Sequence, residues 1–305
     1  MIKVFGHKAP DTDSTGSAII WAWYLNEVKG QAAEPILLGT PNTEAAFMLK
    51  RWGFATPEII SNLTNDTQVV VVDTNNPAEL PSNINNTDII AIIDHHKLVG
   101  GLETKGPISI TIRPVACTAT IMHNLMGDDA TRMPAAIKGV MLSCILSDTL
   151  EFRSPTTTDQ DQALAEILAT DLSLSIPNYS AEMFAAKSDI SQFSDTELLQ
   201  MDSKEYVVQG FKFRVSVLET TSPKTVLDRK ASLMAAMPSV AAEDGVDHVL
   251  LFVVDILNQE ATMLIPDAIS KSVAEKSFGV IVTRDIVLLP GIMSRKKQII
   301  PHLKV

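Results

Sequence analysis

Val69-Val70-Val71-Val72 runs directly into Asp73, and the apolar run 89–93 runs just as directly into Asp94-His95-His96-Lys97. An unbroken β-branched run has no polar face to give to water, so each predicts a parallel strand covered on both sides. Ile2 to Phe5 is a shorter run, followed by Gly6-His7-Lys8-Ala9-Pro10-Asp11-Thr12-Asp13-Ser14. Helical patterns fill 17–28, 116–126 and 135–146, the last leading into Ser147-Asp148. Strands alternating with helices imply a parallel α/β sheet, and ligands of such sheets bind outside the carboxyl ends of the strands. Four elements are thus expected to deliver Asp and His to one rim.

A single Asp after a strand is ordinarily a turn or helix-cap residue, and paired histidines are ordinarily surface or core. The joint occurrence is what changes the reading. Three of the six histidines and most of a set of aspartates fall at strand ends, while His123, His248 and His302 are scattered and read as structural. So many carboxylates on one rim repel each other unless divalent cations intervene. Imidazole and carboxylate donors without thiolate suit Mn, Fe, Co, Mg or Zn of a hydrolytic type. There are donors enough for two ions, one carboxylate bridging, which is the arrangement of a two-metal phosphohydrolase.

The pattern lapses at 187–194, where a linker is expected, giving domains at 1–188 and 189–305. Beyond it, 211–217 alternates apolar and polar as a half-exposed strand does. Further strands are expected at 249–255, 261–265, 280–282 and 286–289, with helices at 223–237 and 269–276. This is a smaller α/β domain with a mixed sheet. Near its end, Ser294-Arg295-Lys296-Lys297-Gln298 sets three cations together in a chain of net charge −11. Taken alone it is a solubilising run; after Leu289-Pro290-Gly291 it can also aim a guanidinium and an ammonium at a phosphate.

The acidic balance argues against nucleic acid and anionic lipid as partners. No apolar run approaches the ~20 residues of a membrane span, and the start shows no signal peptide. Two isolated cysteines, Cys117 and Cys144, read as buried thiols of a reducing compartment, so a cytoplasmic protein is expected. There is no P-loop, GxGxxG or GxSxG. Trp21, Trp23 and Tyr24 read as core packing.

The segments GHKAPDTDS at 6–14, DTNN at 73–76, DHHK at 94–97, SDT at 147–149 and SRKKQ at 294–298 resemble, in order, those of the family II (manganese-dependent) inorganic pyrophosphatases of the DHH phosphoesterase superfamily. The resemblance implies a larger N-terminal catalytic domain with a parallel sheet flanked by helices and a smaller DHH-associated C-terminal substrate-binding domain, with the active site in the cleft between them. It implies hydrolysis of pyrophosphate to two phosphates by water activated by two Mn²⁺ per subunit, Co²⁺ or Mg²⁺ being substitutes and further Mg²⁺ arriving with substrate. His7, Asp11 and Asp73 would hold one ion and Asp13, Asp73, His95 and Asp148 the other, with Asp73 bridging. His96 would contact substrate and help protonate the leaving phosphate; Asp94 would orient a ligand imidazole. Lys204, Arg295 and Lys296 would bind phosphoryl oxygens. Members are usually homodimers through the N-terminal domain. Ala9 stands where the family commonly has Asn. The competing readings are a DHH exopolyphosphatase or oligonucleotide phosphodiesterase, and, from another class, a catalytically inactive metal or phosphate sensor. His7 and the SRKKQ ending favour the pyrophosphatase.

Overall fold

The computed structural model describes the backbone of residues 1–305 and every side chain except that of Lys296. The chain divides into two compact units, Met1–Ala186 and Lys187–Val305. Among the described residues, no helix is long and apolar enough to cross a membrane.

The first unit is built from β1 (Ile2–Phe5), α1 (Thr12–Glu27), β2 (Ala33–Leu37), α2 (Thr43–Trp52), β3 (Glu58–Ile59), β4 (Gln68–Val72), β5 (Asp88–Asp94), β6 (Ser109–Ile112), α3 (Thr118–Met126), α4 (Ala135–Asp148), α5 (Asp159–Asp171) and α6 (Ile176–Lys187). Its six strands lie in the order β3-β2-β1-β4-β5-β6, and every pair is parallel. The β-branched runs are buried because helices cover both faces: Val69, Val71 and Val72 have no exposed surface. Strand order reverses direction between β1 and β4, the switch point where open α/β sheets form their crevice. Phe5 pairs with Val71, so the register carried two residues further sets His7 beside Asp73.

Two helices differ from the sequence expectation at the site. α1 starts at Thr12, well before its apolar pattern, because Asp11 caps it by accepting from Ser14 N–H. Its polar first turn, Thr12 to Thr15, is buried. α4 continues past its apolar run through Asp148, with the Ser147 hydroxyl satisfied by Glu44 Oε2 at 2.6 Å. The two helices approach closely at Gly16, where a Cβ would stand 2.2 Å from Cys144 Sγ.

The second unit contains α7 (Asp195–Met201), β7 (Ser203–Val208), β8 (Phe211–Thr220), α8 (Pro223–Leu227), α9 (Lys230–Asp244), β9 (His248–Asp255), β10 (Glu260–Leu264), α10 (Ala268–Phe278) and β11 (Ile286–Pro290). The sheet order is β11-β10-β9-β8-β7. Only β8 and β9 pair in parallel, so the sheet is mixed. Along β9, Leu250, Phe252 and Val254 join one core with α10, and Val249, Leu251 and Val253 join another with α9. That alternation is the period of two expected of a strand packed on both faces.

Two expectations fail here. Residues 280–282 form no strand: Val282 is tucked into the core while its N–H goes to Glu275 Oε1 at 3.2 Å, and Ile281 is exposed. The helix expected over 223–237 is two helices. Arg229 lies between them, its guanidinium drawn to Ile190 O, Phe193 O and Asp195 Oδ1.

Candidate metal centre

The carboxyl ends of β1, β4 and β5, the start of α1 and the end of α4 converge within the first unit. Gly6, which follows β1, has no room for a side chain: a Cβ would lie 2.0 Å from Ser14 Oγ. His7 therefore turns back over the start of α1, its N–H bonded to Ser14 Oγ at 3.1 Å. His7 Nε2 lies 3.5 Å from both Asp11 Oδ2 and Asp73 Oδ2. Asp73 follows β4 with φ 58°, a left-handed conformation that Asp tolerates better than most residues. Its other oxygen, Oδ1, lies 3.3 Å from His95 Nε2. One carboxylate thus faces an imidazole on each side.

Asp13 is fully buried in the first turn of α1. It accepts from Ser17 Oγ at 2.9 Å, Thr118 N–H at 2.7 Å and Ala119 N–H at 3.3 Å. Asp148 Oδ2 is 4.0 Å from His95 Nε2 and is buried with no hydrogen-bond partner among the described residues. His95 Nδ1 lies 3.1 Å from Val115 O. A carbonyl only accepts, so Nδ1 carries a proton and Nε2 is the nitrogen turned to the carboxylates. His96, more exposed, bonds through Nδ1 to Asp94 Oδ1 at 2.9 Å, so the structure pairs Asp94 with His96 and not with the imidazole of an expected ligand. Asp94 accepts in turn from Asn75 Nδ2 at 2.5 Å, and Asn75 also holds Lys97 O and Val99 N–H.

The electrostatics are those of crowded, buried carboxylates facing imidazoles. Burial and the neighbouring Asp73 charge push Asp13 up to about 7. Burial and the Asp13 charge push Asp148 well above the usual carboxylate range. Burial alone would raise Asp73, but His7 and His95 outweigh it and hold Asp73 below that range. Burial alone would lower the two imidazoles, yet the carboxylates raise His7 to about 10 and His95 to about 9. The carboxylates thus favour positive charge at this place.

Donor atoms of three groups lie within 4.8 Å of one another: His7, Asp11 and Asp73; Asp73, His95 and His96; and Asp13, Cys117 and Asp148. The structure therefore brings His7, Asp11, Asp13, Asp73, His95 and Asp148 to one place, with His96 at its edge. A divalent ion fits: the unpartnered Asp148 oxygen and the crowded buried carboxylates need positive charge, and oxygen with imidazole nitrogen suits Mn²⁺. In the second unit, Lys204 on β7 and Arg295 line one cavity of about 540 Å³ with Asp202, Tyr206, Glu219 and Ser294. Arg295 donates to Asp202 O and Asp202 Oδ1, each at 2.7 Å. The side chain of Lys296, the remaining expected cation, lies outside the described residues.

Sequence reasoning passes over Thr118, and gives Asn75, within DTNN, and the buried Cys117 no part in framing the donors. The one sequence signal of Thr118 is a short polar residue at a helix start, a signal shared with any turn.

Parallel strands ending in mixed carboxylate and imidazole donors define a metal-centred α/β domain of hydrolytic type. Two family descriptions match the chain: "DHH family, N-terminal domain" over residues 1–147 and "DHHA2 domain" over residues 181–305. A Deinococcus radiodurans protein named "Probable manganese-dependent inorganic pyrophosphatase" is 38% identical, covering 100% of this chain and 98% of its own. An Enterococcus faecalis protein of the same name is 35% identical over 99% and 97%. The solved "putative family II inorganic pyrophosphatase" of Methanococcus jannaschii superposes with a TM-score of 0.62 at 33% identity, over 99% of this chain and 97% of that one. The chain belongs to the family II, manganese-dependent inorganic pyrophosphatases of the DHH superfamily.

Proposed function

We propose that this chain is an enzyme that hydrolyses inorganic pyrophosphate to two phosphates at the centre between β1, β4 and β5. The observation that carries the reading is Asp73, with His7 Nε2 at 3.5 Å from one oxygen and His95 Nε2 at 3.3 Å from the other. A shared carboxylate between two donor sets is what two adjacent ions require. His7, Asp11 and Asp73 would hold one Mn²⁺, and Asp13, Asp73, His95 and Asp148 a second, with Co²⁺ or Mg²⁺ as substitutes and further Mg²⁺ accompanying substrate. Ions held there would acidify a water and neutralise charge on phosphoryl oxygens.

The remaining work falls to the chain's own groups. The hydrogen bond that His96 Nδ1–H donates to the Asp94 carboxylate raises the pKa of His96. With Nδ1 engaged, His96 Nε2 is the atom free to donate a proton to the leaving phosphate. Lys204, Arg295 and Lys296 are the proposed phosphate-binding cations; Arg295 spends two of its five donors on Asp202, leaving three. On the same reading the enzyme is a cytoplasmic homodimer joined through its first unit, with no nucleic-acid or membrane partner.

The test is phosphate release from pyrophosphate with Mn²⁺, beside Mg²⁺ alone, with tripolyphosphate and a dinucleotide as rival substrates. Pyrophosphate should be turned over fastest, and faster with Mn²⁺. Preferential cleavage of tripolyphosphate or the dinucleotide would overturn the reading.

A further inference from the structure

Asp13 and Asp73 belong to different elements, yet one residue holds both. Thr118 opens α3 and is fully buried. Its N–H donates to Asp13 Oδ2 at 2.7 Å and its hydroxyl donates to Asp73 Oδ1 at 3.1 Å. The start of α3 is itself anchored. Asp161 Oδ2 accepts from Ala116 N–H at 3.0 Å, and Asp161 Oδ1 accepts from Thr120 Oγ1 at 2.7 Å. Thr118 is therefore a fixed point against which two carboxylates are set.

Asp13 has other donors in Ser17 and Ala119. Asp73 is less well supplied. The nitrogens that face it are those of imidazoles: His7 Nε2, His95 Nε2 and, at 3.9 Å, His96 Nδ1. An imidazole nitrogen that gives its lone pair to a metal carries no proton and no longer donates to a carboxylate. The Thr118 hydroxyl is then the donor left to fix the rotation of the Asp73 carboxylate. We propose that Thr118 is a positioning residue of the metal centre, its amide and hydroxyl locking Asp13 and Asp73 in relative orientation. The proposal rests on the reading of those two aspartates as ligands. Outer hydrogen bonds of this kind typically change metal affinity by about 10- to 100-fold.

Thr118→Val keeps the side-chain shape and loses the hydroxyl; Thr118→Ser keeps the hydroxyl and loses a methyl. Mn²⁺ binding to the full-length protein is measured by calorimetry and by electron paramagnetic resonance, with Asp73→Ala alongside. Thermal unfolding in chelator checks that each variant is folded, and Thr118→Ala replaces Thr118→Val should the latter fail to fold. Thr118→Val is expected to bind Mn²⁺ roughly 10- to 100-fold more weakly, and Thr118→Ser to stay within about threefold of wild type. The proposal is overturned if Thr118→Val binds like wild type while Asp73→Ala does not, or if Thr118→Ser is as weak as Thr118→Val. If Asp73→Ala itself binds Mn²⁺ normally, the ligand assignment fails and the proposal falls with it.

Discussion

The crossing of α1 and α4 at Gly16 sets the separation of two of the proposed ligands, and Gly16→Ala tests this. Asp13 precedes Gly16 by three residues and Asp148 follows Cys144 by four, so the close contact lies about one helical turn from both carboxylates. The added Cβ would meet Cys144 Sγ at 2.2 Å, Val140 Cγ1 at 3.0 Å and Met48 Sδ at 3.4 Å. The first distance is about 1.2 Å inside the 3.4 Å at which ordinary contact begins. Cys144 and Val140 have no exposed surface, so neither can swing aside. The helices must part by about 1 Å, whereas metal coordination tolerates only about 0.2 Å. Alanine gains about 1 kcal/mol of helix propensity, while overpacking of a tight core costs about 1–3 kcal/mol. The metal-free variant should therefore lose up to about 2 kcal/mol in urea unfolding, and Mn²⁺ affinity by calorimetry should fall at least ~10-fold. Gly16→Ala/Cys144→Ala removes the sulfur that obstructs the new methyl, so the double variant should recover part of both losses. The reasoning is refuted if Gly16→Ala matches wild type in both measurements, or if the second change restores nothing.

His7→Asn replaces an imidazole by an oxygen donor, so Mn²⁺ affinity should fall at least ~10-fold while Mg²⁺ affinity changes far less; equal losses in metal titrations would contradict this. The folded metal-free protein holds protons on Asp13, Asp148, His7 and His95 more tightly than its unfolded chain does. It therefore binds more protons, and calorimetry in chelator should show stability falling as pH rises from about 6 to 9, through the Asp13 and His95 transitions. A flat or rising profile would count against the site electrostatics. Asp202→Ala removes the carboxylate that holds one side of the Arg295 guanidinium and leaves only the bond to the backbone oxygen, so KM for pyrophosphate should rise ~10-fold with Mn²⁺ affinity unchanged; steady-state kinetics beside calorimetry separate the two effects.

The strands that carry donors were the easiest to read. β4 and β5 announce themselves by β-branched runs, because a strand buried on both faces has no other composition to use. β2 and the edge strand β6 are silent for the opposite reason. β2 contains Glu34 and Pro35, and β6 is partly exposed, so neither makes an apolar run. α1 hides its first turn because burial there serves Asp13 and its partners, not a hydrophobic stripe. The aspartates and histidines can be named from the sequence because their types are unusual at strand ends. Their orientation cannot. It depends on Thr118, 105 positions from Asp13, and on the missing side chain at Gly16, and neither residue type signals a role until the chain has folded.

The parallel topology also governs the order in which this protein can be assembled. Parallel neighbours cannot be joined by a hairpin, and the donors extend from residue 7 to residue 148. Bringing them together requires the β1–β4 and β4–β5 pairings and the packing of α1 on α4, contacts of long sequence separation that form slowly. The proposed donor set is complete only once these contacts have formed. Manganese held by that set would stabilise the folded molecule by mass action. Interactions absent from the transition state slow unfolding and leave the folding rate nearly unchanged. Scarcity of an ion so bound would then shorten the lifetime of the native state and leave the folding rate nearly unchanged.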